Sequence, residues 1–580
     1  MSDEKMKPEE MTRYDFSPRG ADWLDAARTE LKRGCFNYAA VPHSIEYLGQ
    51  PNPRKWQPMD DDWQLPENWM EILHEGMQKR LKKYRSFQVF MDICVRCGAC
   101  ADKCHYFLGG GDPKNMPVMR AELLRSIYRG EFTQAGKIFG KLAGARKMSF
   151  EVLKEWFYYF YQCTECRRCS VFCPYGIDTA EITMMARELM NEIGVSIDWI
   201  CTPASNCQRT GNHLGVPPHA FKNSVEFAID DLKDLTGVEV DVPLHKKGAE
   251  VLFIVPSADY FAQPHYFTFL GYMMLFHEIG LDYTMSAYAS EGGNFGLFHS
   301  HEMIKRLNGK IYNEARRLGV KWILGGECGH MWRVMHQYMD TLNGPADFLE
   351  VPVSPMTGTR FENAKDTKMV HICEFTADLI KHGKLNLDPR RNDHWKVTFH
   401  DSCNPARAMG LLDEPREVIR ATCNYFYEMP ENTIREQTFC CGSGSGVGTD
   451  ENLEMRLRGG FPRANAVKFV KERHGVNVLS CICAIDKATL PELVEYWVGD
   501  IEIAGIHEFV GNALVMKGEQ ARDTDLRGQP MIMPEADGAG KDAQSGAGVA
   551  VAGAGATSSV GPETAAGVSN LTGKGGDQDV

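Results

Sequence analysis

Long apolar runs are missing from this 580-residue chain. No stretch of 18 or more apolar residues occurs, so no helix long enough to cross a bilayer is expected. The best candidate, Tyr266 to Phe276, suffices only for a buried helix. The N-terminus, Met1-Ser2-Asp3-Glu4-Lys5, lacks the apolar core of a secretory signal, and a cytoplasmic location is expected. Positive charge is in deficit: 64 Lys+Arg against 77 Asp+Glu give a net charge of -13, without the basic balance of a general nucleic-acid binder. No flavin or nicotinamide fingerprint is visible, so hydride chemistry would need another subunit. Gly109-Gly110-Gly111-Asp112-Pro113 resembles a phosphate loop but follows a cysteine cluster rather than a strand, and reads as a turn. The last fifty residues, Met531 to Val580, hold 11 Gly, 10 Ala and no aromatic residue. Such a segment cannot bury enough surface to offset chain entropy, and a disordered tail is expected over 520–580.

What remains is a soluble globular chain, 43% apolar and 24% charged, too long for one core; roughly two to four domains are expected. Cysteine is abundant, at 19 residues. In a long chain of a reducing compartment, clustered thiols are metal ligands rather than disulfides. The first cluster is Cys94-x2-Cys97-x2-Cys100-x3-Cys104, and the second is Cys163-x2-Cys166-x2-Cys169-x3-Cys173-Pro174. This is the bacterial ferredoxin run, whose fourth Cys ligates the other cluster. One cubane [4Fe–4S] cluster is therefore assigned to Cys94, Cys97, Cys100 and Cys173, and the other to Cys163, Cys166, Cys169 and Cys104. Zinc ribbons use pairs of CxxC, not two runs of four at this spacing. His105 stands where the pattern usually has Pro, which is not a ligand. Apolar residues at three-to-four spacing predict helices over Pro117–Arg129 and Thr179–Ile193.

A different constellation lies downstream: Cys403, Cys440-Cys441-Gly442 and Cys481-Ile482-Cys483. Strand-like runs precede the first and last groups, Lys396–His400 and Gly475–Leu479, and cysteines at the ends of neighbouring strands converge where α/β sheets bind ligands. The segment also repeats. Val251–Val255 parallels the strand entering Cys403, Glu291-Gly292-Gly293 parallels Cys440-Cys441-Gly442, and Gly319–Leu324 leading to Cys328 parallels Gly475–Leu479. The expected architecture is α/β with an inserted, mainly α-helical two-cluster ferredoxin module. It divides into an N-terminal extension (1–90), the ferredoxin-like domain (91–195), a connector (196–247), a degenerate repeat (248–390), a cysteine-bearing repeat (391–515) and the tail.

The Cys-x36-Cys-Cys-Gly…Cys pattern resembles the "CCG" domain of heterodisulfide reductases. A ferredoxin module ahead of two such repeats resembles the heterodisulfide reductase D family, over roughly residues 20–515. The long N-terminal extension, Glu327–Arg333 (ECGHMWR) and His400–Arg407 (HDSCNPAR) look closest to its DsrK branch, found in the DsrMKJOP membrane complex of dissimilatory sulfur metabolism. The resemblance implies a noncubane [4Fe–4S] cluster and catalytic site on Cys403, Cys440, Cys441, Cys481 and Cys483. It implies a DsrC-like protein disulfide or trisulfide as substrate. It also implies a membrane cytochrome b (DsrM-like) partner leading to the quinone pool, and a peripheral place on the inner face of the cytoplasmic membrane. The family closes its motif with CxxC, whereas this chain has Cys481-x-Cys483 and Ala484 at the expected place. Cys328 falls at the position equivalent to Ala484, either completing the site or as a buried thiol.

Two other functions share this layout: an electron-transfer subunit of a flavin dehydrogenase of the glycolate oxidase or anaerobic glycerol-3-phosphate dehydrogenase type, and an assembly scaffold with a structural cluster. Cys35, Cys201, Cys207, Cys373 and Cys423 read as buried thiols. His330, His400 and, more remotely, His336 are candidate proton donors or structural histidines. Lys79, Arg80, Lys82, Lys83 and Arg85 form a basic stretch, either a solvated helix face or a contact for anionic headgroups or an acidic partner. Arg167 and Arg168, inside the second cysteine loop, either favour a reduced cluster or dock a partner.

Overall fold

The computed structural model describes residues 63, 65–448 and 452–531; the chain up to residue 62, with Cys35, and the segment from 532 lie outside the described residues. Helices dominate the first part: α1 (Trp69–Lys83), α2 (Arg85–Asp92), α3 (His105–Gly110), α4 (Pro117–Phe132), α5 (Gln134–Phe139), α6 (Phe150–Phe160) and α7 (Thr179–Glu192). α4 opens with Pro117 at its first position, where a missing N–H costs nothing. α7 is capped by Asp178, whose carboxylate accepts from the Ala180 N–H. On α6, Val152, Leu153, Trp156, Phe157 and Phe160 face the core, with Trp63 edge-on to Phe157.

α1 corrects the reading of the basic stretch. Arg80 is not part of a free charged face, because it pairs with Glu188 (2.7 Å) and Glu192 (2.9 Å) of α7. The triple glycine is also more than a turn. Gly109 and Gly110 end α3, and Gly111 caps it in the left-handed region. A Cβ at Gly109 would overlap the Arg458 carbonyl oxygen, so this residue is small to let two helices touch.

Two parallel sheets follow. β1 (Val251–Ile254), β2 (Tyr283–Thr284), β3 (Trp322–Gly325) and β4 (Met369–His371) run in the order β2-β1-β3-β4. β5 (Val397–His400), β6 (Val478–Cys481) and β7 (Glu502–Ala504) run β5-β6-β7, and Phe426 makes a parallel bridge outside β5 where β2 flanks β1. Except for Glu502 at the start of β7, every strand residue is buried, as in parallel sheets covered on both faces. The helices that matter below are α8 (His265–Ile279), α9 (His301–Leu318), α10 (Gly329–Asn343), α11 (Leu453–His474), α12 (Ala484–Trp497) and α13 (Ile506–Ala513). α9 and α11 both end on a left-handed glycine, Gly319 and Gly475, that turns the chain toward β3 and β6.

The two sheet units are locked together. α8 and α13 cross at Gly271, where a Cβ would overlap the His507 carbonyl oxygen. Beside the crossing, Glu327 from the first unit meets Lys487 Nζ at 2.8 Å and His507 Nδ1 at 2.7 Å from the second, all three side chains fully buried. Residues 520–531, assigned to the tail by composition, are instead folded: Arg522 pairs with Glu519, and buried Asp525 lies 2.9 Å from His394. The composition that suggested a tail belongs to the Gly/Ala run of the last fifty residues, and these charged anchors precede it. No helix among the described residues is long and apolar enough to cross a membrane.

Candidate metal centre

The two cysteine runs fold into matching loops. In the first, Arg96 and Gly98 flank Cys97 with φ of 57° and 79°; in the second, Glu165 and Arg167 flank Cys166 with φ of 54° and 59°. Left-handed backbone at non-glycine residues is uncommon and marks an imposed geometry. Here it coils three thiols inward. Cys94, Cys97, Cys100 and Cys173 line one cavity, and Cys104, Cys163, Cys166 and Cys169 line a second; Cys169 is in the wall of both. Each cavity thus takes three thiols from one run and is completed from the other. Burial pushes the Cys100 thiol up to about 11 and the Cys169 thiol up to about 12. Four convergent thiols suit an iron–sulfur cube; the second cavity also has His105 and Glu165 in its wall.

Sequence reading missed a buried cation beside each cavity. α4 carries Arg120 next to Cys163, Cys104 and Cys169, and Arg125 next to Cys94, Cys100 and Cys173. Arg120 is anchored by the Tyr159 carbonyl at 3.0 Å, and Arg125 by the Phe90 carbonyl at 3.1 Å. A positive charge close to a centre that gains an electron favours the reduced state. Arg125→Met should therefore lower the potential of the first centre, on the order of 100 mV for unit charges about 6 Å apart at an effective dielectric near 20. EPR-monitored redox titration reads this directly, with Arg120→Met acting on the second centre instead.

The downstream cysteines gather at the ends of β5 and β6. Cys403 opens a π-helical turn, Asn404–Ala408, of the kind that recurs at functional sites. Cys440 hydrogen-bonds with Cys166, Cys403 and Cys441, and these thiols hold it well below the usual thiol range while each of them is pushed up. Cys166 therefore belongs to two neighbourhoods. His105, read only as a missing Pro, offers a ring nitrogen that lies, with the Cys166 and Cys440 sulfurs, in a group within 4.8 Å of one another. Burial opposes a charge on His105, but the Cys440 thiolate outweighs it and raises the imidazole. Its Nδ1 is 2.9 Å from the Gly459 carbonyl and its Nε2 is 2.9 Å from Thr164 Oγ1.

Burial pushes the Cys481 and Cys483 thiols up, and both also lie close enough to Asp486 for its charge to push them further. This buried carboxylate is kept ionised against burial by His400, and it hydrogen-bonds with Cys441. The strand-to-helix link explains the departure from CxxC. Between β3 and α10 it is Gly326-Glu327-Cys328, and between β6 and α12 it is only Ile482-Cys483. One residue is missing, so Cys328 corresponds to Cys483 as the N-cap of its helix, not to Ala484 as strand counting suggests. The two N-termini face each other: Cys328 accepts from the Ala484 backbone and Cys483 from the Gly329 backbone. Of the three histidines, His330 is nearest these thiols, with Nδ1 at 3.7 Å from Cys483 and a neutral ring held at about 4 by burial. His400 is taken by Asp486 and His336 by Thr367. Cys201, Cys207, Cys373 and Cys423 are buried.

Arginines tie the second cysteine loop to this site. Arg187 bonds the Glu165 carboxylate (2.8 Å), the Cys163 carbonyl (2.7 Å) and Ser445. Arg407 reaches back to the Cys166 and Thr438 carbonyls. Arg168 is buried over the Phe439 ring at 3.9 Å and bonds the Gln437 carbonyl, while Arg167 pairs with Asp178 at 2.7 Å. Neither is a free docking charge.

Residues 90–177 match the 4Fe-4S dicluster domain, which with the geometry above makes this an iron–sulfur protein of the dicluster class. The chain is 49% identical to the Hdr-like menaquinol oxidoreductase iron-sulfur subunit of Archaeoglobus profundus, over 90% of this chain and 99% of the relative. It is 48% identical to iron-sulfur subunit 2 of the corresponding Archaeoglobus fulgidus enzyme, with the same coverage of each. A more distant relative, from the dihydromethanophenazine:CoB--CoM heterodisulfide reductase of Methanosarcina barkeri, is 26% identical over 73% of this chain and 94% of its own. No solved structure matches. The chain belongs to the family of Hdr-like menaquinol oxidoreductase iron–sulfur subunits.

Proposed function

We propose that this chain links a menaquinol-dependent membrane subunit to disulfide or trisulfide chemistry on a protein substrate. The observation that carries the reading is contiguity: the first two thiol groups share Cys169, and the second touches the third through Cys166 and Cys440. Cys94, Cys97, Cys100 and Cys173 would hold one cubane cluster, Cys104, Cys163, Cys166 and Cys169 the other, and Cys403, Cys440, Cys441, Cys481 and Cys483 a noncubane cluster. When bound, the cubane clusters supply one-electron transfer and the third supplies iron able to meet a substrate sulfur. The protein does the rest. Cys403 is the partly exposed member of the third group and marks its mouth, next to Arg407 and Met409. His330 provides a neutral imidazole against Cys483, and Asp486 a fixed negative charge against Cys441.

The finer reading is a DsrK-type subunit of a DsrMKJOP-like complex. Its partner would be a DsrM-like cytochrome b and its substrate a DsrC-like protein with two cysteines on a C-terminal arm. The test is an anaerobic EPR titration of the loaded protein with such a two-cysteine partner. A change confined to the signal that Cys441→Ala removes supports sulfur chemistry at the third site. An unchanged spectrum leaves an electron relay of the flavin-dehydrogenase type.

A further inference from the structure

The segment 133–150 holds Lys137, Lys141, Arg146 and Lys147 and no acidic residue, in a chain whose net charge is -13. It forms α5 and a following 3-10 turn, Gly140–Ala143. Gly140 (φ 50°) and Gly144 (φ 69°) bend the backbone through conformations that L side chains rarely adopt, and the result is a tight projecting tip. Its apolar side chains point outward: Ile138 is 71% exposed, Phe139 60% and Leu142 93%. Scattered exposed apolar residues need no explanation, but three on one short tip, interleaved with lysines, make a patch with a purpose. Among the described residues, no ion pair engages Lys137, Lys141 or Lys147; Arg146 pairs with Glu155.

The tip is held firmly. The Gly144 carbonyl accepts from Arg129 at 2.9 Å, and Arg129 pairs with Glu122, which also takes Arg96 of the first cysteine loop at 3.0 Å. It forms one wall of a groove of about 990 Å³ whose other side includes Met70, Leu73, Met77 and Trp156. The first cysteine loop is itself exposed at Val95 and Cys97.

We propose that the 137–147 tip is an interfacial anchor for an anionic lipid surface: Ile138, Phe139 and Leu142 enter the headgroup–acyl boundary while Lys137, Lys141 and Lys147 meet lipid phosphates. Charge complementarity selects this occupant, since a cationic, apolar-tipped loop on an acidic protein fits a negatively charged bilayer. The idea rests on the membrane-linked reading above and gives it a place. Through Arg129, Glu122 and Arg96, the anchor joins the loop of the first thiol group, so that group would lie toward the membrane.

The test is co-sedimentation of the full, iron-loaded chain, without other subunits, with vesicles of phosphatidylglycerol and phosphatidylcholine or of phosphatidylcholine alone. Binding is expected only with the anionic vesicles. Each Lys→Gln change at 137, 141 or 147 should lower it roughly fivefold, and added salt should do the same. Phe139→Ser combined with Leu142→Ser should lower it more than about tenfold, with iron content unchanged. Absence of vesicle binding by the wild-type chain, or binding indifferent to these changes, overturns the proposal. So does a tip required for assembly with membrane subunits in detergent but not for vesicle binding, because the partner would then be protein. The EPR titration is run without lipid, so its failure bears on the function and not on the anchor.

Discussion

Cys441→Ala is expected to abolish turnover of a two-cysteine protein substrate and to lower the iron content from about 12 to about 8 atoms per chain, the difference being one four-iron cluster. A methyl group cannot ligate iron, and Cys441 sits in the thiol group of Cys403 and Cys440 rather than in the walls of either ferredoxin cavity. The two cubane signals should persist and remain reducible. Cys100→Ala is the proper contrast, since that thiol lines only the first cavity. It should cut the electron supply and leave partner binding intact. Cys166→Ala is a poorer control, because Cys166 hydrogen-bonds with Cys440 and its loss disturbs both sites. Full turnover by Cys441→Ala would remove the third site from the mechanism.

Lys487→Met should be the most destabilising of the single changes, by about 3–5 kcal/mol, because it removes the one cation paired with a fully buried carboxylate between the two sheet units and leaves Glu327 only the His507 ring and backbone N–H. In the native chain, burial works to raise Glu327, but Lys487 and His507 outweigh it and hold the carboxyl at about 2. A folded value below the unfolded one contributes stability that is present above about pH 4.5 and is lost as the pH falls toward 2. In the variant burial loses its strongest opponent and only His507 remains, so the folded carboxyl should rise and the stability gained between pH 2 and about pH 4.5 should shrink. Glu327→Gln added to Lys487→Met should recover part of the loss. Denaturant midpoints across that pH range check both statements. A Lys487→Met midpoint equal to wild type would mean the pair does not bind the units together.

The local parts of this molecule were legible. The 2-2-3 spacing alone puts eight thiols in two loops, and the periodicities of α4 and α7 place their helices within three residues at either end. Strand starts were less so: β3 and β6 begin three residues after Gly319 and Gly475, because those glycines serve as helix caps before the chain extends. Long-range facts left no local signal. Arg120 and Arg125 look like polar positions on an amphipathic helix until the cavities appear beside them. Cys166 and Cys440 lie far apart in sequence, and nothing local announces that one loop forms part of the other's surroundings. His105 had the one usable hint, a departure from the usual Pro, and dismissing it as a non-ligand overlooked what an imidazole can do there.

The arginine ties between the second cysteine loop and the third thiol group have a consequence for how such a protein is matured. Arg187 and Arg407 reach to that loop, Arg168 reaches out of it to the Gln437 carbonyl, and Arg187 bonds the Cys163 carbonyl and Glu165 side by side with Ser445. Cys440 lies 3.4 Å from Thr164 Oγ1, so the coiled backbone of 163–169 is part of its surroundings. On the proposed reading, filling the ferredoxin loops first would shape the receptacle for the later insertion. Nascent protein starved of iron should accumulate with its last centre empty before its first two.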